Sequence, residues 1–228
     1  NNLQAMIKDL NKWIEESKSQ KNNYGKTKNG KARFDLEEGH SKENPKLRRV
    51  ANPTDISEAY RNVLFEGPAI SAIIDLIGPD VKFHHSKINS KLPGGDTAVK
   101  WHQDFTFTPH TNEDVLTALL MMDEVSEENG PLEVLPGSHL GPLHSLWHNG
   151  VFTGAVDDAI AKKAESFSEL CLGPPGAVCL MHSRLLHASK ANKSVNPRTL
   201  FISVYSAGDA IPCSPNPMPS QYEGIMVR

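Results

Sequence analysis

The chain has few cysteines, little excess charge and no long apolar run, and each shortage excludes a class of protein. The three cysteines (Cys171, Cys179 and Cys213) form no CxxC pair, which argues against a zinc site or a disulfide framework and favours a reducing, cytoplasmic setting. A formal net charge of −3 without a basic stripe gives no argument for nucleic acid as a partner. No apolar run reaches the length of a membrane-spanning helix, so no membrane partner is expected either.

The 228 residues are interpreted as a single domain with a helical N-terminal part, 1–79, and a strand-rich core, 80–228. Apolar residues from Leu3 to Ile14 recur at helical spacing, and a second helical region spans about 55–76 with an interruption at Gly67-Pro68. Residues 17–49 between them are polar and lack periodicity, which predicts a mobile loop or lid.

Short strand-like runs separated by Gly- and Pro-rich turns fill the core, together with one inserted helix at 156–168. The predicted strands are 81–90, 97–104, 115–122, 132–135, 177–181 and 199–205. Many short strands without regularly alternating helices are typical of a sandwich or barrel of antiparallel strands. The predicted fold class is therefore α+β, with a double-sheet jelly roll behind the helices.

A candidate metal site begins with His102 and Asp104, which project to the same side of an extended segment because they are two residues apart. A third ligand from a distant strand would complete two imidazoles and one carboxylate, the set that leaves coordination positions open on non-heme Fe(II). His187, just beyond an apolar strand, is preferred for this position; His182 competes but is interpreted as a rim or structural histidine. With ten histidines in the chain, a surface His beside an Asp is the alternative.

Arg198 lies eleven residues after His187, at the head of an apolar strand. A guanidinium suits a carboxylate because its fork donates two parallel charge-assisted hydrogen bonds. An ordinary solvated arginine is the alternative.

A second group of polar residues shares one face of the strand at 81–90 and its continuation: His85, Lys87, Asn89 and Lys91. This face either meets solvent or, directed inward, lines a pocket with donors suited to anions. Together with His110 in the loop 107–111, His85, Lys87 and Lys91 are the candidate substrate-binding residues, although Lys91 could equally be solvated.

Three motifs resemble the phytanoyl-CoA dioxygenase family over about residues 80–205: WHQDF at 101–105, ENGPLEVLPGSH at 128–139, and His187-Ala-Ser189 followed by Asn192, Ser194 and Arg198. The segment around Asn89 is similar to the bacterial ectoine hydroxylase branch. The resemblance implies a double-stranded β-helix that uses Fe(II), 2-oxoglutarate as co-substrate and O2.

The resemblance also implies roles for individual residues. His102, Asp104 and His187 would be the iron ligands and Arg198 the partner of the distal 2-oxoglutarate carboxylate. Asn89 and Ser189 occupy positions that contact 2-oxoglutarate in the ectoine hydroxylase branch, and Thr117 is a further candidate for that task. Because related halogenases lack the carboxylate ligand, Asp104 argues for hydroxylation.

The sequence therefore predicts a 2-oxoglutarate-dependent hydroxylase acting on an aliphatic carbon of a small anionic or zwitterionic metabolite, such as an amino-acid derivative or an aminoalkylphosphonate. Two alternatives stay open: a catalytically silent jelly-roll binding protein, and a cupin-like isomerase or hydrolase that uses zinc or manganese without 2-oxoglutarate. The oligomeric state is not predicted.

Overall fold

The helices form where apolar residues recur at helical spacing. The computed structural model describes residues 2–95 and 97–227. Its helices are α1 (Asn2–Ser17), α2 (Glu58–Glu66), α3 (Ala69–Ile77) and α4 (Asp158–Ser166). Ser57 caps α2 by accepting a hydrogen bond from the backbone N–H of Tyr60, and the predicted interruption at Gly67-Pro68 separates α2 from α3. None of these described helices is both long enough and apolar enough to cross a membrane.

Fourteen strands lie within the described ranges, all of them short except the two that form the centre of the large sheet. They are β1 (Tyr24–Lys26), β2 (Ala32–Leu36), β3 (Leu47–Ala51), β4 (Val81–Lys91), β5 (Val99–His102), β6 (Val115–Met121), β7 (Leu132–Val134), β8 (Trp147–His148), β9 (Val151–Phe152), β10 (Glu169–Cys171), β11 (Val178–His182), β12 (His187–Ser189), β13 (Arg198–Ala207) and β14 (Met226–Val227). Each of the six predicted strands is present, and no strand end differs from the prediction by more than two residues.

The strands pair antiparallel in two main sheets. The larger sheet has the order β1-β2-β3-β4-β13-β6-β11, and β14 pairs with the first two residues of β4. The smaller sheet has the order β10-β7-β12-β5, and β8 and β9 form a separate hairpin. The two facing sheets confirm the predicted α+β class with a jelly-roll core.

The centre of the large sheet is buried on both faces because the helices cover one side and the small sheet faces the other. On β13, Phe201 and Tyr205 belong to the core cluster that includes α1, α2 and α3, whereas Leu200, Ile202 and Val204 line a cavity on the opposite side. All ten residues of β13 are buried as a result. The central strand therefore carries the helical core on one face and the candidate site on the other.

The predicted mobile loop at 17–49 is wrong, because residues of this segment form β1, β2 and most of β3 and extend the large sheet. Among these strand residues, Phe34, Leu47 and Val50 are buried in the helical core cluster, and their neighbours are mostly charged and half-exposed. These outer strands have few apolar positions to alternate, and charged side chains near the margin of a sheet discourage pairing with another chain. The polar composition of residues 17–49, which suggested a loop, belongs to strands at one side of the large sheet.

Candidate metal centre and oxo-acid cavity

Three ligand-bearing residues converge where the small sheet meets a short turn. His102 is the last residue of β5, Asp104 opens the 3-10 turn Asp104–Thr106, and His187 is the first residue of β12. His187 pairs directly with His102 across the two strands, which brings their ring centroids to 4.1 Å. Asp104 Oδ1 lies 3.4 Å from His102 Nε2 and 3.7 Å from His187 Nε2. One ligand atom from each residue lies within 4.8 Å of the others, as around a single ion.

Backbone carbonyls orient both imidazoles toward that common point. His102 Nδ1 lies 2.7 Å from the carbonyl of Lys100, and His187 Nδ1 lies 2.9 Å from the carbonyl of Leu185. A carbonyl can only accept, so each Nδ1 carries the proton and each Nε2 presents a lone pair. This second layer of hydrogen bonds is typical of metal-binding histidines.

The charge states also suit a cation. Burial and the neighbouring His102 lower the pKa of His187 to about 4, so this imidazole is neutral near pH 7. Burial raises the pKa of the Asp104 carboxyl, but His187, His102 and Lys87 outweigh burial and hold it well below its ordinary value. A neutral imidazole and an ionised carboxylate are the forms that ligate metal.

Gln103, between the two ligands of the His-X-Asp pair, is a residue that the sequence did not single out. Its side chain is 0% exposed and binds two loops at once. The amide donates to the carbonyls of Arg184 (2.6 Å) and Pro142 (3.3 Å) and accepts from the backbone N–H of His144 (2.9 Å). Alternation along the strand points Gln103 away from the cavity, where it holds the ligand-bearing segment in place.

A cavity of about 390 Å³ extends from the three ligands between the two sheets. It is lined by most of the residues that the sequence singled out for the oxo acid and the substrate, namely His85, Lys87, Asn89, Lys91, Thr117, Ser189 and Arg198. Their strands place them there: register pairs Arg198 with Lys91, and Val204 lies between His85 and Thr117. A β-bulge opposite Val204 and Tyr205 shifts the alternation of β4 so that the odd-numbered residues from His85 onward face the cavity.

Arg198 and Lys91 form a cationic end of the cavity. Arg198 donates from Nη2 to the carbonyl of Gly130 (2.9 Å), while its Nε is buried without a hydrogen-bond partner in the described part of the chain. Lys91 donates to the carbonyls of Ser189 (3.1 Å) and Lys190. Burial lowers the pKa of Arg198 to about 10 and that of Lys91 to about 7. A buried guanidinium with an unused donor fits the carboxylate of a bound acid.

The backbone of Gly130 lies close to both Arg198 and Lys91. Its φ of +75° lies in the left-handed region, and a Cβ there would come within 2.5 Å of the Lys190 carbonyl and 2.9 Å of Lys91 Cδ. Only glycine lets this backbone lie against Lys91 while its carbonyl accepts from Arg198.

The structure does not bring His110 into the cavity lining. Its Nδ1 is held by the carbonyl of Thr108 at 2.9 Å, and its ring packs 5.2 Å from that of His84. His84 Nδ1 in turn lies 2.7 Å from His85 Nδ1. The local turn directs His110 to a cluster of imidazoles beside the cavity, so the expectation that it lines the pocket is corrected.

His182 and His139 lie outside the ligand set and contact each other and the neighbouring backbone. The rings of His182 and His139 lie 5.5 Å apart, and His182 Nδ1 accepts from the backbone N–H of Arg184. Ser138, next to His139, accepts from the backbone N–H of Leu186 and so fixes the approach to β12.

Arg48 and Arg49 line the cavity from β3, and the sequence did not single them out because they lie in the segment interpreted as a loop. Pro217 and Met218 also reach the lining from the C-terminal segment. Asn52 holds that segment by donating to the carbonyl of Met218 (3.0 Å). A clue in the sequence is the apolar pattern Leu47-X-X-Val50, which surrounds the arginine pair.

Comparison with known proteins extends these observations. Residues 3–200 match the Phytanoyl-CoA dioxygenase (PhyH) family. Over 187 residues the chain is 38% identical to a probable alpha-ketoglutarate-dependent hypophosphite dioxygenase of Stutzerimonas stutzeri, covering 79% of this chain and 64% of the relative. It is 29% identical over 200 residues to L-proline trans-4-hydroxylase of Streptomyces griseoviridis, a match that covers 79% of this chain and 73% of that relative. The match to the first relative thus spans less than two thirds of its length.

A solved structure of EctD from S. alaskensis with bound Fe superimposes with a TM-score of 0.72 at 19% identity, covering 97% of this chain and 72% of EctD. The fold and the ligand set define a jelly-roll protein with a two-histidine, one-carboxylate metal site. Within that class, the chain belongs to the phytanoyl-CoA dioxygenase family.

Proposed function

We propose that this protein is an Fe(II)- and 2-oxoglutarate-dependent dioxygenase that hydroxylates an aliphatic carbon of a small anionic or zwitterionic metabolite. The observation that carries the proposal is the presence, in one cavity, of His102, Asp104 and His187 together with the buried Arg198. Three protein ligands leave coordination positions for a chelating acid and oxygen. Arg198 offers its unused Nε to the far carboxylate of that acid.

When bound, Fe(II) with 2-oxoglutarate and O2 supplies the oxidation that places oxygen on a C–H carbon, with succinate and carbon dioxide as co-products. The protein contributes binding and orientation. His102 and His187 hold their lone pairs toward one point, and Asp104 completes the ligand set, with Oδ2 accepting from Thr117 at 3.4 Å. Apolar residues of the lining, among them Leu119, Leu132 and Ile202, keep bulk water from the space between the two ends.

Substrate size follows from the cavity. A volume of about 390 Å³ is near the small end for ligand pockets, so a short polar compound fits better than a long acyl thioester. The relatives named for hypophosphite and L-proline support a small polar substrate. We assign Asn89, Ser189 and Thr117 to the oxo acid and His85, Lys87 and Lys91 to the lining near the substrate.

We further propose that residues 1–228 act as one oxygenase domain whose partner is a small molecule, with neither nucleic acid nor membrane as a partner. Residues of α1, α2 and α3 share a single hydrophobic cluster with β4, β6 and β13. The helices and the strands that carry the cavity therefore have one common core.

Succinate release tests the proposal. Purified protein with Fe(II), 2-oxoglutarate and O2 is screened against amino-acid derivatives, aminoalkylphosphonates, small phosphorus oxyanions and acyl thioesters. We expect succinate in proportion to a hydroxylated or oxidised product with one of the small anions, and loss of both in His187→Ala. The silent binding protein would give no succinate with any compound, and a zinc or manganese enzyme would turn over without 2-oxoglutarate. Turnover with acyl thioesters alone would contradict the proposed substrate class.

A further inference from the structure

Two neighbouring arginines reach the same cavity because strand β3 is irregular. Consecutive residues of a regular strand point to opposite faces. Here the register changes between Asp35, which pairs with Arg49, and Leu36, which pairs with Leu47, so Arg48 has no opposite residue. An extra residue of this kind re-aims a side chain, and such bulges occur next to binding sites. Both Arg48 and Arg49 consequently line the cavity.

The arginine pair has a surplus of positive charge. Asp35 is its carboxylate partner, with Oδ2 2.5 Å from Arg48 Nη2 and 3.8 Å from Arg49 Nη1. Asp35 itself is absent from the described lining of the cavity. The side chains of Arg48 and Arg49 are 30% and 36% exposed, so a ligand in the cavity can reach them.

Lys87 adds a third cation on the same face. Arg49 on β3 pairs with Asn89 on β4, and Lys87 precedes Asn89 by two residues on the same strand. Lys87 is therefore a diagonal neighbour of Arg49, at a distance that long side chains can span. Within the described residues, the Lys87 ammonium has no hydrogen-bond partner. Burial lowers its pKa, and Asp104 opposes that shift. An ammonium that lines a cavity and makes no hydrogen bond is suited to an anionic ligand.

The other charges of the cavity already have tasks under the proposed function. Asp104 belongs to the metal site, and Arg198 is assigned to the far carboxylate of the oxo acid. Lys91 already donates to two backbone carbonyls. The cations left to bind the substrate are therefore Arg48, Arg49 and Lys87. Asp35 neutralises one of their three positive charges.

We propose that Arg48, Arg49 and Lys87 form a subsite for a doubly charged oxyanion head group of the substrate, with phosphonate as the chemical class. The inference rests on the proposed function and narrows its substrate. A phosphonate offers three oxygens, enough for two guanidiniums and one ammonium, whereas a carboxylate offers two and a single charge. A contrasting role for Arg49 is to orient Asn89, since its Nε donates to Asn89 Oδ1 at 3.1 Å.

Calorimetric binding under anaerobic conditions tests the subsite. The protein is first loaded with Fe(II) and 2-oxoglutarate, so that the metal and the Arg198 end are filled, and is then titrated with methylphosphonate or with acetate. We expect methylphosphonate to bind more tightly than acetate. Arg49→Met and Lys87→Met should each weaken methylphosphonate binding by about tenfold to a hundredfold, the range for a lost charge-assisted hydrogen bond. Arg49→Lys should restore part of the affinity.

Lys42→Met is the matched control, because Lys42 is an exposed lysine in the turn before β3 and lies outside the cavity lining. It should bind methylphosphonate as the wild type does. Equal affinity for the two probes, or an unchanged Arg49→Met, overturns the subsite. A loss of 2-oxoglutarate binding in Arg49→Met also overturns it, because Arg49 would then act through Asn89 on the co-substrate. A wild-type protein that fails to bind Fe(II) and 2-oxoglutarate contradicts the proposed function instead.

Discussion

At the scale of single residues, the candidate metal site depends on groups that never touch the metal. The carbonyls of Lys100 and Leu185 fix the protons of two imidazoles on Nδ1 and leave Nε2 for the ion. At the other end of the cavity, the carbonyl of Gly130 accepts one Arg198 donor and leaves Nε unused. A backbone carbonyl thus orients each of these three side chains before any ligand arrives.

Replacing Arg198 with lysine tests the fork geometry while keeping the charge. The ammonium of lysine cannot give two parallel hydrogen bonds to one carboxylate. We expect the Kd for 2-oxoglutarate, measured by anaerobic titration of the Fe(II)-loaded protein, to rise by about tenfold to a hundredfold. Affinity for Fe(II) alone should stay as in the wild type. Lys193→Gln, an exposed change in the loop between β12 and β13, serves as control, and an unchanged Kd in Arg198→Lys would refute the role of Arg198.

At the scale of elements, two β-bulges decide what faces the cavity. One shifts β4 so that His85, Lys87 and Asn89 point inward, and the other adds Arg48 to Arg49 on β3. Alternation alone predicts the shared face of His85 to Lys91 because that run begins after the first bulge. It cannot predict the arginine pair, since a bulge depends on pairing with a partner strand rather than on the order of apolar and polar residues.

The difference in burial between central and outer strands explains which strands the sequence predicts. The strands β6 and β13 are rich in apolar residues because the helices and the cavity bury both of their faces. The outer strands β1, β2 and β3 have few buried residues, and the charged residues between them resemble a loop. The buried ones are Phe34 on β2 and Leu47, Val50 and Ala51 on β3. Of the site, the ligand residues follow from spacing and family motifs, whereas Gln103 acts through tertiary contacts that no local pattern records.

Gln103 links the ligand-bearing turn to two loops, so its removal should destabilise the protein. In Gln103→Leu, the Arg184 carbonyl and the His144 N–H lose their partners in a buried setting. We expect the free energy of unfolding in urea to fall by about 2–4 kcal/mol, because each unsatisfied buried group costs about 1–3 kcal/mol. Gln4→Leu, on the exposed side of α1, should change it by less than about 0.5 kcal/mol. Equal stability of the two variants would contradict this account of Gln103.

At the scale of the whole molecule, layering places the functional residues. Helices α1, α2 and α3 pack on one face of the large sheet through residues such as Tyr60, whose ring contacts Phe201 edge-on at a centroid distance of 5.0 Å. The opposite face and the small sheet enclose the cavity. The cavity consequently combines long apolar walls with charged groups that are desolvated by the fold itself.

Desolvated imidazoles should make the metal-free protein sensitive to acid. Burial lowers the pKa of His84 from 6.5 to about 4 and holds the pKa of His85 well below its usual value. The Nδ1 atoms of the two rings lie 2.7 Å apart. The unfolded chain then binds more protons than the native state between about pH 6.5 and 4, so stability falls as the pH falls through this window.

Urea unfolding at pH 7.5 and pH 5 measures that effect. We expect His84 to contribute a loss on the order of 1–2 kcal/mol at pH 5, and protonation of His85 to add to that loss. His84→Gln, which cannot take up the proton, should show a smaller difference between the two pH values. His144→Gln, a change outside the histidine cluster, should behave as the wild type. A wild-type stability that is the same at both pH values would refute the prediction.

The central claim is that one cavity binds Fe(II) and 2-oxoglutarate together through His102, Asp104, His187 and Arg198. The most direct measurement is anaerobic titration of Fe(II) into the protein in the presence of 2-oxoglutarate, followed by visible absorption. The account predicts a weak charge-transfer band that saturates at stoichiometric metal, disappears in His102→Ala and His187→Ala, and persists in His144→Ala. A folded wild-type protein that gives no band, or a band that survives in both ligand variants, would contradict it.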